Sequence, residues 1–508
     1  MRKLIPLILI LLVTAACRSE KQPATTAVPT QPATQPTTAA QQPAAVQSMT
    51  IAAPANTPTI PAATPIPTDV PPMPLPTPMT PLVENYTVRA GDTLGGISYA
   101  YDISLEELLT LNGLDENAII HVGQSLRVPL DVNRTAPVVR LMPDSEAVFS
   151  PAYVGFDVET YVREQNGFLA GYSERVNGIP LSGAEIIEHL ARQFSVGPRV
   201  MLALLEYYSG WVTQPQPTAA RPLGIGNPYA DSLYRQMSWM AAMVNQGYYN
   251  YKRSGITTVK FYRGGRALVP AGMNAGTVGI LNALAVNSDW ETWQTEIGAD
   301  GFIKTYKKLF GDPYAREISP IVPVTLTQPL MELPWQSGDT FYYTGGPHEG
   351  YGTGSALAAI DFGPPDVLGS CYYSDVPLTA VAAGRIFLGS KGETYLDLDA
   401  DGNLQTGWVV LYLHMVADDS LTQGQLVEAG DVLGYASCEG GMADASHLHI
   451  ARRYNGEWIP ADGRVPFVLS GWRVQAGNAP YNGTMVRGDE IKTACECWDE
   501  SNALVAGQ

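Results

Sequence analysis

Apolar positions along the chain fall into four regimes. Between Leu4 and Val13 they form one unbroken run behind Arg2 and Lys3, too short for a spanning helix and shaped like a secretory signal. Next comes a compact stretch in which Tyr86–Val88 reads as a strand, Leu94–Tyr101 as a short helix and Leu126–Val128 as a returning strand. Within it, Ser104-Leu105-Glu106-Glu107 has the form of a capping box opening a second helix, which Asn112-Gly113 can end. From about Val148 to Pro313 the period becomes helical. Ser182-Gly183-Ala184-Glu185 is another capping box, followed by Ile186, Ile187, Leu190, Ala191 and Phe194 at helical spacing. Pro198 suits the first turn of a helix running to Ser209, Asp231 and Asn274 are candidate caps, and Phe302 to Phe310 is amphipathic. His189, on the first of these helices, is expected to be a surface or half-buried residue and not a ligand. Beyond Gln328 the pattern turns to short, Gly-bounded strands, among them the apolar run ending Leu411-Tyr412-Leu413-His414.

Composition divides the chain further. From Gln22 to Pro81 it is Pro, Thr, Ala and Gln, with 16 of the 40 prolines and almost no charge. Such a segment cannot bury enough apolar surface to offset its ordering entropy. It reads as a linker, and at ~3.1 Å per residue in polyproline II it spans on the order of 100–190 Å. The 508 residues leave room for about three domains after signal and linker. A net charge of -18 argues against nucleic acid or an anionic membrane surface as partner. With 16% charged residues and 26 tyrosines the surface is hydroxyl-rich and compatible with carbohydrate contact.

The candidate chemistry centres on Ser446-His447-Leu448-His449. In a strand, residues two apart share a face, so His447 and His449 project together. Two of only six histidines stand here within three residues, which suits a zinc site or a surface pair on a polar strand. Upstream, His348 is followed after twelve residues by Asp361, with glycines between them, and His414 closes its apolar strand.

Together these residues resemble the M23 family of zinc endopeptidases, of the lysostaphin and LytM type. The family's H-x(n)-D is His348 and Asp361, its Y-x-H is Tyr412 to His414, and its H-x-H is His447 to His449. The long gap between His348 and Asp361 resembles the LasA-like branch. The segment Leu426–Gly434 fits the family's turn and strand before the second histidine pair. The resemblance implies a mainly antiparallel β domain over residues 328–472. It also implies Zn2+ held by His348, Asp361 and His449, with water in the fourth place. His414 and His447 then handle protons, and Tyr342 donates to the developing oxyanion, with Tyr412 the alternative if its strand is regular. Of the four cysteines beyond Cys17, Cys371 and Cys438 are the expected pair, in loops of that domain, and Cys495 with Cys497 is left open.

Other segments carry further resemblances. Residues 84–130, with Val88-Arg89-Ala90-Gly91-Asp92-Thr93-Leu94 and the order βααβ, resemble a LysM module. That family binds N-acetylglucosamine-containing glycans, here through Gly91, Asp92, Thr93, Leu94, Ile119 and Ile120, positions that serve equally as turn and cap. Thr14-Ala15-Ala16-Cys17 resembles a lipobox, with Thr14 where Leu is usual. It implies a signal peptide over 1–17 and a lipid on Cys17, ahead of the linker at 18–83. In the mainly α region, 148–313, Tyr208-Ser209-Gly210-Trp211 and Asn274-Ala275-Gly276 resemble lysozyme-like transglycosylases. Tyr208 takes the catalytic Glu position, and Glu206, two residues away, is rotated by ~200°. That domain is therefore expected to be non-catalytic.

Asp397-Leu398-Asp399-Ala400-Asp401-Gly402-Asn403 resembles the start of an EF-hand loop, with carboxylates at its first, third and fifth positions, glycine at the sixth and Trp408 at the twelfth. Ca2+ binding and an acidic hairpin turn both fit. Residues 473–508, with Cys495-Glu496-Cys497, are expected to be a tail. The whole is expected to be an exported, lipid-anchored protein of the cell envelope acting on peptidoglycan, either as a zinc endopeptidase or, alternatively, as a non-catalytic amidase activator or wall-binding scaffold.

Overall fold

The computed structural model describes residues 83–88, 93–101, 103–115, 118–121, 123–129, 134–224, 231–255, 257–261 and 265–507. Cys17, Gly91 and Asp92 lie outside them. Among the described residues no helix is long and apolar enough to cross a membrane.

The first module follows the expected βααβ order: β1 (Val83–Thr87), α1 (Leu94–Tyr101), α2 (Leu105–Asn112) and β2 (Ser125–Pro129), with β1 and β2 antiparallel. Ser104 Oγ accepts the Glu107 N–H and Gly113 ends α2 in the left-handed conformation, as the sequence predicts. Val88, Ile97, Leu108, Leu126 and Val128 form its core. Leu94 and Ile120 pack partly against that core, while Ile119 is 79% exposed.

The helical region comprises α3 (Asp144–Ala147), α4 (Val158–Gln165), α5 (Gly183–Phe194), α6 (Pro198–Ser209), α7 (Leu233–Ser254), α8 (Ala275–Ala285), α9 (Trp290–Glu296) and α10 (Phe302–Phe310). Two hairpins accompany them, β3–β4 (Ser173–Val176, Ile179–Ser182) and β5–β6 (Thr257–Lys260, Arg266–Val269). The Ser182–Glu185 capping box is formed in both directions. The cap of α7 is Ser232 rather than Asp231, and Asn274 spends its side chain on Met142 and Asp144 instead of capping α8. His189 is 4% exposed and stacks on Tyr234, so it is fully buried where a surface or half-buried position was expected. Glu206 accepts the Val212 and Thr213 N–H groups and the Thr213 hydroxyl, closing the turn after α6.

The remaining strands are β7 (Thr340–Glu349), β8 (Leu357–Gly363), β9 (Pro377–Thr379), β10 (Gly384–Leu388), β11 (Glu393–Asp397), β12 (Trp408–Leu413), β13 (Met415–Ala417), β14 (Leu426–Val427), β15 (Val432–Ala436), β16 (Leu448–Tyr454), β17 (Glu457–Trp458), β18 (Val468–Leu469), β19 (Trp472–Ala476), β20 (Gly483–Arg487), β21 (Glu490–Thr493) and β22 (Ala503–Val505). The main sheet runs β14-β10-β11-β12-β16-β8-β7-β22, antiparallel throughout, with β17 on β16. Residues 473–507 are not a tail. They supply most of a second sheet, β18-β19-β20-β21, and the edge strand β22, which pairs Ala503 with Tyr342.

The two faces of the main sheet enter different cores. Tyr412, Ile450 and Ile360, cross-strand neighbours, pack with the strands and loops of the C-terminal region. Leu411, Leu413, Ala451 and Ala359, on the other face, share one core with Phe194, Tyr248 and the rest of the helical region. The β16–β17 hairpin is the anchor of that contact. Trp458, fully buried, donates its backbone N–H to the Tyr249 hydroxyl, and Glu457 accepts from Tyr248 and Lys252 at 2.9 and 2.6 Å.

Candidate metal centre

Three adjacent strands bring the predicted residues together. Ladder pairing puts Gly345 of β7 opposite Asp361 of β8, and Asp361 opposite His449 of β16. A register shift between Gly345 and His348 bends the end of β7 so that His348 joins them. His348 Nε2 lies 3.0 Å from His449 Nδ1, and each is 3.3 Å from Asp361 Oδ1. His447 Nε2 is 3.8 Å from the same oxygen. The His414 ring centroid is 4.6 Å from that of His447 and 6.1 Å from that of His449.

Each imidazole is fixed from behind by a backbone carbonyl. His348 Nδ1 donates to Gly346 O and His447 Nδ1 to Ala445 O, each two residues back. His414 Nδ1 donates to Glu439 O, and His449 Nε2 to Gly350 O. A carbonyl only accepts, so these nitrogens carry the protons and the opposite ones turn lone pairs inward. Three acceptor atoms therefore face one another at 3.0–3.3 Å, about the separation of tetrahedral ligands around an ion bound at ~2.0–2.1 Å. Asp361 Oδ1 is buried without a hydrogen-bond partner, which a protein tolerates only where something else compensates it. The donor set of two imidazoles and a carboxylate fits zinc.

Electrostatics follow from burial and proximity. Burial pushes Asp361 up, yet the imidazoles of His348, His447 and His449 together hold it well below the usual carboxylate range. Burial lowers His348, but Asp361 outweighs it and raises that imidazole. In His449 burial wins and the shift is downward. His414 is pushed down to about 3 by burial and by the neighbouring His447 and His449.

One expectation about tyrosines is corrected. Tyr412 turns away from His414: its hydroxyl donates to Thr379 O and accepts the Val381 N–H in the opposite core. The reason is that the strand ends at Leu413 and His414 takes a left-handed conformation, φ 60°. Tyr342 sits between Phe341 and Tyr343 on β7, half-buried, and among the described residues no hydrogen bond or ring contact joins it to the histidines. The tyrosine at the cluster is Tyr481, whose ring stacks on His348 at 4.2 Å and 16° and stays 54% exposed. Its signal was missed because residues 473–508 read as a tail.

Cys371 and Cys438 form the expected disulfide, which ties the loop after β8 to the segment leading to His447. Cys495 and Cys497 are bonded as well.

Residues 86–129 match the LysM domain model, and residues 140–322 match the model of the LasA N-terminal domain. The second match covers the region likened above to a transglycosylase. The chain is 27% identical over 319 residues to Protease LasA of Pseudomonas aeruginosa strain UCBPP-PA14, an alignment covering 59% of this chain and 72% of that protein. The chain is similar to the LasA-type M23 peptidases. The LasA of strain PAO1 is 26% identical over the same length, with the same coverage. Among solved structures, the deep-sea M23 metalloprotease pseudoalterin is 24% identical, covering 36% of this chain and 99% of its own, with a TM-score of 0.29.

Proposed function

We propose that this chain is a zinc endopeptidase that cuts peptide bonds in peptidoglycan. In this reading the LysM domain holds it on the glycan and a lipid on Cys17 tethers it to the exporting membrane. The observation that carries the reading is the inward convergence of His348 Nε2, Asp361 Oδ1 and His449 Nδ1 beside two further imidazoles. Those three atoms would hold the ion. When bound, zinc supplies Lewis acidity, acidifying a water and polarising the amide carbonyl.

The rest is work for this chain's own side chains. His447 and His414 present Nε2 lone pairs, with Nδ1 fixed on Ala445 O and Glu439 O. His447 accepts a proton from the attacking water and, once charged, donates it to the departing amine, while His414, held neutral, accepts a hydrogen bond that orients the water. His447 is the more open of the two, with 20% of its side chain exposed against 4% for His414 as a whole. It therefore suits contact with a substrate entering past Tyr481. In the LysM module, Ile119 and Thr93 are exposed and available to glycan.

An activator of amidases needs no metal ligands, and all five groups are retained here, which favours the enzyme. The test is zinc content together with release of new amino termini from purified peptidoglycan by the chain lacking residues 1–83. The reading expects near-stoichiometric zinc that is lost in His449→Ala and kept in His447→Ala, with new termini from the parent alone. No zinc and no new termini would overturn it, and stimulation of an added amidase would then support the activator.

A further inference from the structure

The connection between β11 and β12 holds three carboxylates that the peptidase site does not use. Asp397, Asp399 and Asp401 each place an oxygen within 4.8 Å of the others. Such crowding is ordinary on an exposed loop, but Asp397 is 2% exposed and its Oδ1 is buried without a hydrogen-bond partner. Its Oδ2 accepts the Gly402 N–H, at 2.8 Å. A buried carboxylate left half-satisfied beside two others calls for a cation.

The described residues supply none. Among the described residues no Lys or Arg is ion-paired with any of the three. The nearest in the ladder is Arg385, directly opposite Asp397. It spends its guanidinium on carbonyls instead, Nε on Ala400 O and Nη1 on Gly424 O, both at 3.0 Å. Burial, with Asp399 beside it, pushes Asp397 up to about 7 despite the Gly402 N–H. Close approach is also built into the backbone. A Cβ on Gly407, where φ is 55°, would stand 2.2 Å from Asp399 Oδ2. Asp401 is held from behind by the Asn403 N–H at 2.7 Å and the Thr406 hydroxyl at 2.8 Å.

We propose that this hairpin loop is a calcium site in which Asp397, Asp399 and Asp401 bind one Ca2+ and water completes its shell. Three hard oxygen ligands with no nitrogen or sulfur select calcium over zinc. The loop shares the carboxylate spacing and glycine of an EF-hand but sits between strands. The twelfth position, where an EF-hand has its bidentate Glu, is Trp408, packed with Ile459 and Val465. Affinity therefore belongs at the weak end, ~10⁻⁴ to 10⁻³ M, the range of extracellular modules. The ion would pin the hairpin at the end opposite His414, and the inference does not depend on the function proposed for the histidine cluster.

The test uses the full-length, zinc-loaded chain titrated with CaCl2 by calorimetry, with Tb3+ luminescence excited through tryptophan as a second readout. The expected result is one calcium per chain, displacement of Tb3+ by Ca2+, and a thermal midpoint raised by several degrees at 10 mM. In Asp399→Asn/Asp401→Asn, both exposed positions, the calcium-free midpoint stays within a degree or two and affinity falls at least tenfold. Asp397→Asn raises the calcium-free midpoint and loses the response to calcium. No saturable binding up to 10 mM, or unchanged binding in the double variant, would overturn the proposal, while unaltered zinc content would leave the histidine site untouched by that failure.

Discussion

Replacing Gly345 by alanine tests the histidine site without removing any ligand. Gly345 faces Asp361 across the β7–β8 ladder, and a Cβ there would lie 2.3 Å from Asp361 Oδ2 and 3.0 Å from its Cβ and Cγ. Ordinary contact needs 3.4–4 Å, so the carboxylate must retreat by about 1 Å, against a tolerance of about 0.2 Å for a metal ligand. The backbone of Gly345 is not left-handed, so alanine adds a steric push and no conformational strain. Misplacing a ligand in this way should cost about 10- to 100-fold in zinc affinity, or about 1.4–2.7 kcal/mol. Competition with a chromophoric chelator measures it. Gly441→Ala is the control, because its Cβ meets only His414 Cε1 at an unforced 3.4 Å. A Gly345→Ala protein that folds normally and binds zinc within twofold of the parent would refute the assignment of Asp361 as a ligand.

Other perturbations probe how the site is held. Ser437, fully buried, donates both its N–H and its hydroxyl to His414 O, so Ser437→Ala should keep zinc content but lower turnover about tenfold as His414 loosens, by peptide-release assay. Trp458→Ala empties the joint between hairpin and helices and should cost about 3–5 kcal/mol in urea unfolding; a loss below 1 kcal/mol would mean that the two parts do not share a core. Glu296 is pushed up to about 7, chiefly by burial and against the Ser288 hydroxyl bound to it. Its folded pKa lies above the unfolded value near 4.5, so the folded state binds more protons, and stability is full below about pH 4.5 and falls as pH rises through about 7. Glu296→Gln should remove that loss, worth about 1–2 kcal/mol after allowing for partial solvent access. In calorimetry the variant should gain on the parent at pH 8 and match it at pH 4.5.

What could be read from the sequence was what regular backbone encodes. The His447–His449 pair was legible because strand alternation carries side chains two apart to one face, and the Ser182 and Gly113 caps because their hydrogen bonds are local. Burial of His189 was not legible. The helix period alone does not reveal that the sheet packs over α5, where Phe194 enters the same core as Leu411 and Ala451. The second sheet was lost for a related reason: β20 and β21 are short and mostly polar, with Met485 their one fully buried apolar residue. Their pairing is set by partners elsewhere in the chain.

The errors about tyrosines share one physical origin. His414 and Tyr481 are both non-glycine residues with left-handed φ, 60° and 68°, a conformation that costs roughly 1–2 kcal/mol per residue. Both are held there by hydrogen bonds from distant chain, His414 O by Ser437 and Tyr481 O by the Gly346 N–H at 2.7 Å. The metal-ligand candidates Asp361 and His449 stand on regular strand, where a two-residue period places them, and the rings that flank them stand where that period is broken. Extrapolating alternation from Leu413 through His414 therefore had to send Tyr412 to the wrong face, and no strand pattern reaches Tyr481. Regular ladder under Asp361 and His449, and a left-handed, separately anchored backbone at His414, lets His414 be repositioned by Ser437→Ala while Asp361 and His449 keep their geometry.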